Sequence, residues 1–149
     1  MKQEQVNLSG SIEIVHKRNG EIIETRNIRN TIVTVGKAEM AGLLVNTGSS
    51  VAFDNIAIGT GTTGVTAGDT TLETESMRET GVASRVTTAV TNDTAQLVST
   101  FAITSTLAIT ESGMFNDATT GEMLNRTTFS AINLVNGDSL EYTWKIQFS

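Results

Sequence analysis

The sequence has no cysteine and no proline, a single histidine, and aromatics at only 5% of its residues. Without cysteine neither a disulfide framework nor a thiolate zinc site can form. One histidine, His16, is too little for a histidine-rich metal site or a convincing catalytic triad. Its expected place is the solvated edge of a first strand. The shortage of aromatics means that Val, Ile, Leu and Ala must build the core. Positive charge is scarce as well: 10 Lys and Arg stand against 16 Asp and Glu, a net charge of -6. That balance, with no basic cluster, argues against nucleic-acid binding and against a membrane-surface role. No apolar run is long enough to span a bilayer. Met1-Lys2-Gln3-Glu4-Gln5 has no apolar segment behind it, so no signal peptide is expected. Synthesis in a cytoplasm, with retention there or release by a route such as lysis, is the matching expectation.

In abundance are threonine and serine, 25 and 12 of the 149 residues. Threonine suits half-buried pleated surfaces, so this usage favours strands. The length fits one domain able to bury a core. Residues 11–16 and 21–26 read as two strands joined at Asn19-Gly20, a pair that tolerates the positive φ of a tight hairpin. Residues 35–45 predict the one helix, with Thr34 as its cap and Ala38, Ala41, Leu44 and Val45 as its core-facing stripe. Short strands are expected over 52–58, 84–91, 95–105, 107–115 and 123–132. Residues 70–78 are ambiguous and could hold one helical turn. The last strand is the clearest: Leu140, Tyr142, Trp144, Ile146 and Phe148 alternate with polar residues, placing the only Trp and Tyr on the inward face. The fold class is mainly β, a single-domain antiparallel sandwich or barrel with one short helix. An N-terminal hairpin or arm (1–26) precedes a β-sandwich domain (27–149), the two forming one compact unit.

Candidate chemistry is sparse. Gly59-Thr60-Gly61-Thr62-Thr63-Gly64 matches the G-x-G-x-x-G phosphate loop, but that motif requires a helix after it and a βαβ setting. The residues after Gly64 are loop-like, and a flexible turn is the preferred reading. Glu73, Glu75 and Glu79 around Arg78 could be paired glycosidase carboxylates; a solvated acidic turn is the simpler account. Asn116-Asp117 and Asn136-Gly137-Asp138 offer oxygen ligands without the order of a calcium loop, and turn chemistry explains both. The glycosylation patterns at Asn7, Asn92 and Asn125 read as coincidence in a protein with no signal peptide. No catalytic, cofactor or metal residues are assigned, and no enzymatic activity is expected.

Three stretches carry a resemblance. The first is Arg29-Asn30-Thr31-Ile32-Val33-Thr34-Val35-Gly36-Lys37-Ala38-Glu39-Met40-Ala41-Gly42-Leu43-Leu44, a lead into a short helix. The second is Phe53-Asp54-Asn55-Ile56-Ala57-Ile58-Gly59-Thr60-Gly61-Thr62, followed after a spacer by Asp69-Thr70-Thr71-Leu72-Glu73-Thr74-Glu75 and Arg78. The third is Ile109-Thr110-Glu111-Ser112-Gly113-Met114-Phe115-Asn116, then Met123-Leu124-Asn125-Arg126-Thr127-Thr128-Phe129. In this order they resemble the N-terminal, virion-attaching domain of phage tail-collar fibre proteins and small phage virion proteins of decoration type. The resemblance runs from about residue 27 to the C-terminus. It implies a structural role for Gly59, Gly61, Glu111, Gly113 and Phe115, and it supplies no catalytic residues. It also implies a virion location. The protein would be either a capsid decoration protein bound to the major capsid protein, or a tail-fibre, collar or baseplate adaptor bound to tail proteins. A carbohydrate-binding module is a third reading, disfavoured by the few aromatics. Self-association as a homotrimer is expected, because threefold contacts match shell and fibre symmetry. The N-terminal hairpin (Ile12, Ile14, Asn19, Gly20, Ile22) is the candidate interaction arm, since exposed strand edges pair readily with other proteins. Ile12, Ile14, Ile22 and Ile23 could instead complete the core.

Overall fold

The computed structural model describes residues 3–48 and 50–149. Two antiparallel five-stranded sheets face each other. Sheet A has the order β2-β1-β10-β7-β6, from β1 (Leu8–Arg18), β2 (Glu21–Arg29), β6 (Val82–Val86), β7 (Thr94–Ala102) and β10 (Ser139–Phe148). Sheet B has the order β3-β9-β8-β4-β5, from β3 (Thr31–Ile32), β4 (Asn55–Gly59), β5 (Glu75–Thr80), β8 (Leu107–Phe115) and β9 (Met123–Leu134). The sheets do not close on each other, so the fold is a sandwich and not a barrel. The backbone passes between them at both sides, through Asn30 from β2 to β3 and through Gly81 from β5 to β6.

The last strand behaves as its alternation predicts as far as Ile146, whereas Phe148 at its end is 44% exposed. Leu140, Tyr142 and Trp144 are wholly buried and Ile146 nearly so. β10 lies at the centre of sheet A, so their face meets Ile56 and Ile58 of β4, Ile109 of β8, and Leu124, Ile132 and Leu134 of β9 in one core. Tyr142 packs edge-to-face on Phe101, with ring centroids 5.5 Å apart. The Tyr142 hydroxyl and the Trp144 indole N–H are buried without a hydrogen-bond partner. Burial pushes the Tyr142 hydroxyl well above its ordinary pKa.

A smaller second core lies on the other face of sheet B. Val33, Ala57, Leu72, Phe115 and Met123 form it, and Val35 at the start of the helix packs against it. This is why β4 is buried on both faces, whereas most strands alternate.

The structure corrects three expectations. The helix α1 (Thr34–Val45) is N-capped by Val33, not Thr34, and the cap makes no side-chain hydrogen bond. Its expected stripe of Ala38, Ala41, Leu44 and Val45 faces solvent, and Leu44 is 86% exposed. The helix docks instead by its first turn: Gly36 is the buried residue, and a Cβ there would lie 2.6 Å from the Leu124 Cα of β9. The close approach at Gly36, with Val35 against the second core and Met40 against the main one, fixes the helix. Of the ambiguous segment 70–78, residues 70–74 are loop and 75–78 belong to strand β5, which runs to Thr80 and pairs with β4; there is no helical turn. The strand expected over 84–91 is β6, which ends at Val86; the segment beyond it loops around Asp93.

Candidate functional site

Strand period places Glu111, Gly113 and Phe115 on one face of β8, the outward face of sheet B. Cross-strand register brings Gly59 opposite Glu111 and Ala57 opposite Gly113 on β4, and Arg126 opposite Gly113 on β9. The five residues singled out by resemblance therefore sit together. Gly59, Glu111, Gly113 and Phe115 form the floor on which the loop of residues 60–74 rests, and Gly61 lies within that loop, bonded to Glu111.

Glu111 holds that loop. Its side chain is wholly buried and accepts from the backbone N–H groups of Gly61 (2.9 Å), Glu73 (3.0 Å) and Thr74 (2.7 Å). Arg126 completes its shell, with Nε at 3.0 Å and Nη2 at 2.9 Å. The same guanidinium donates to Asp69 at 2.7 Å and to the Thr63 carbonyl at 3.2 Å. A buried carboxylate with charge-assisted partners on both oxygens is the arrangement that makes burial of charge tolerable. Burial by itself would weaken the Arg126 charge, but the bonds to Asp69 and Glu111 prevail and hold its pKa above the ordinary value. Burial likewise opposes ionisation of Asp69; hydrogen bonds from Thr66 and Arg126 outweigh it and lower its pKa.

The two glycines are required by this packing. A Cβ on Gly61 would lie 2.5 Å from the Glu111 Oε1 and 2.5 Å from the Glu73 Cβ; one on Gly59 would lie 2.6 Å from the same Oε1. The loop is thus a fixed cover and not a flexible turn. It also fills its own anion cradle: the N–H groups of Thr62 and Thr63 donate to Glu73 at 2.7 Å each, and that of Gly61 to Glu111. Carboxylates occupy the donors that a phosphate loop would offer, and residues 65–74, where that motif needs a helix, are loop.

The remaining candidates lie apart. Glu75 pairs with Arg78 at 2.7 Å, and Glu79 is exposed on the edge strand β5. The three glutamates therefore do not converge on one point. Arg78 lies over the Phe115 ring at 3.8 Å and donates to the carbonyls of Asp117 and Thr120. Asp117 accepts from the Thr119 and Thr120 N–H groups, the Thr120 bond first, and its pKa falls to about 2. Among the described residues no cluster of three or more His, Asp and Glu residues could hold a metal ion.

His16 is the clearest correction. It is buried at 4% exposure within sheet A, not at a solvated edge. Its Nε2 lies 2.9 Å from Asp138 Oδ2. Arg18 donates to both oxygens of Asp138 at 2.7 and 2.8 Å, and the Val135 N–H donates at 3.0 Å. Arg18 first, then Val135 and His16, hold the Asp138 carboxyl far below the usual carboxylate range. The Asn136-Gly137-Asp138 turn thereby locks to the end of β1.

The candidate arm divides. Ile12 and Ile14 point into the main core at 1% exposure each. Asn19 and Gly20 form the hairpin tip with positive φ, 52° and 81°. Ile22 and Ile23 are exposed at 63% and 51% on β2, the edge strand of sheet A. A broad polar cleft of about 540 Å³ opens between β1 and the helix, lined in part by Arg29, Asn30 and Lys37.

Arg126, Asp69 and Asp138 organise these two clusters; the sequence places Asp69 and Arg126 in the resembling stretches and Asp138 in a turn, but does not mark them as ion-pair partners. Their partners are 57 residues away for Arg126 and Asp69, and 122 for His16 and Asp138. Compared with protein-family models, with curated proteins and with solved structures, the sequence and fold match none. No helix of the described residues is long and apolar enough to cross a membrane.

Proposed function

We propose that this is a structural protein of a bacteriophage virion, one that decorates the outer surface of the head as a homotrimer and contacts the major capsid protein. The observation that carries this reading is the free edge of β2, where Ile22 and Ile23 stand exposed beside unpaired main-chain groups. Such an edge recruits another strand or apolar surface, and many weak contacts become strong by avidity when copies are repeated under symmetry. The resemblance of the three stretches to phage virion proteins supplies the setting. The acidic balance suits polar protein partners more than nucleic acid.

A second reading casts the protein as a tail-fibre, collar or baseplate adaptor. It is favoured by the clustering of Gly59, Glu111, Gly113 and Phe115 beneath one loop that itself carries Gly61, all residues that resemble the tail-collar attachment domain. A sugar-binding role has less support: Trp144 and Tyr142, the side chains best suited to stack on a sugar, are wholly buried.

Quantitative mass spectrometry of purified virions, against the major capsid protein, separates these readings. A copy number near that of the capsid subunit supports decoration. A handful of copies in multiples of three or six moves the protein to the tail. Absence from the particle ends both.

A further inference from the structure

The sequence contains two Asn-Gly pairs, Asn19-Gly20 and Asn136-Gly137, each in a tight turn. We propose that Asn19 is a site of spontaneous deamidation and isoaspartate formation, and that Asn136 is protected from the same reaction by its main-chain hydrogen bonding.

In this reaction the backbone nitrogen of the glycine, losing its proton to hydroxide, attacks the carbonyl carbon of the Asn amide. A new N–C bond closes a five-membered succinimide, the bond from that carbon to the amide nitrogen breaks, and ammonia leaves. Water then opens the ring at either carbonyl to give aspartate or isoaspartate; nothing is oxidised or reduced. The chemistry requires an accessible Asn, a next residue without a Cβ, and a main-chain nitrogen free to attack.

The first two conditions hold at both sites. Asn19 and Asn136 are exposed, neither side-chain amide has a partner among the described residues, and nothing lies within 4 Å of the Cβ positions of Gly20 and Gly137. The third condition separates them. Gly137 N–H donates to the Ile103 carbonyl at 2.8 Å, and Asp138 N–H donates to Val135 at 3.1 Å, so this turn is tied into the loop between β7 and β8. The β1–β2 turn closes through the paired Arg18 and Glu21, and the Gly20 N–H has no acceptor among the described residues. Every other described Asn precedes a residue with a Cβ.

The product would matter locally. Aspartate adds a negative charge beside Arg18, which holds Asp138. Isoaspartate adds a methylene to the main chain at a turn whose two positive φ angles set the register of β1 on β2.

The test is to hold the full-length protein in mildly alkaline buffer for weeks and map peptides by mass spectrometry, with fragmentation that distinguishes isoaspartate. In the folded protein, Asn19 should gain the deamidation mass about tenfold faster than Asn136, the factor one main-chain hydrogen bond supplies. In denaturant the two rates should converge, because both sites then share the same local sequence chemistry. Equal rates in the folded protein, faster reaction at Asn136, or reaction at neither site when folded but at both in denaturant would each overturn the proposal.

Discussion

Glu111 and Arg126 show how one buried pair can hold a whole loop. Replacing a buried ion pair by apolar residues is often harmless, whereas removing one partner strands the other charge. Arg126→Met should therefore destabilise the protein by about 3–5 kcal/mol, read as a lowered urea midpoint, because Glu111 would keep its burial and lose its cation. A loss under about 1 kcal/mol would mean that the three backbone donors alone satisfy Glu111. Tyr142→Phe works in the opposite direction. Its hydroxyl is buried with no partner, so deleting it should leave stability unchanged or raise it by about 1 kcal/mol. Asp138 makes stability depend on pH. Its folded pKa lies below the unfolded value near 3.9, so its contribution is complete above that value and is lost as pH falls toward the folded pKa. Asp138→Asn should lower stability at neutral pH and flatten the acid limb of a stability-against-pH curve. An unchanged acid limb would show that Asp93 and Asp117, also lowered by backbone N–H groups, carry that dependence.

At the scale of elements, the N-terminal hairpin divides into two strands with different jobs. β1 pairs with β10 along almost its whole length, from Leu8 opposite Phe148 to Lys17 opposite Ser139, and it contributes Ile12 and Ile14 to the core. Removing residues 1–26 would uncover the edge of β10 and the side of the core beside Tyr142 and Trp144. The truncated protein should therefore lose cooperative unfolding instead of persisting as a folded, non-binding domain; a sharp thermal transition would contradict this. Ile14→Ala alone should cost about 2–5 kcal/mol by leaving a cavity. β2 is different, since its outer edge is free. Ile22→Lys with Ile23→Lys should change stability by less than about 1 kcal/mol. By the proposed function, the same pair of changes should abolish trimer formation, measured by sedimentation; an unaltered trimer would remove β2 from the interface. The helix gives a related lesson. Ala38, Ala41, Leu44 and Val45 suggested a core stripe, yet the helix docks through Gly36, Val35 and Met40, because its first turn meets the backbone of β9 more closely than a side chain at Gly36 would allow.

For the molecule as a whole, local sequence and long-range pairing divided the work. The sequence alone determined the strand-rich class, the Asn19-Gly20 hairpin, and the inward face of the last strand. These depend on period-two alternation and turn chemistry, which act between neighbours. It also located one helix within a residue of its ends and marked Gly59, Gly61, Glu111, Gly113 and Phe115 as a set. Only the tertiary structure decided that two sheets face each other, that residues 75–80 pair as a strand, and that the helix turns Leu44 to solvent. Only it brought His16 to Asp138 and Arg126 to Asp69 and Glu111. A charged residue carries no local sign of its partner when that partner is tens of residues away and the backbone must pass between sheets to reach it. Burial then decides what each group becomes. The same aspartate that suffices to make a turn in sequence becomes, once enclosed beside Arg18 and His16, the lock between the first strand and the last turn.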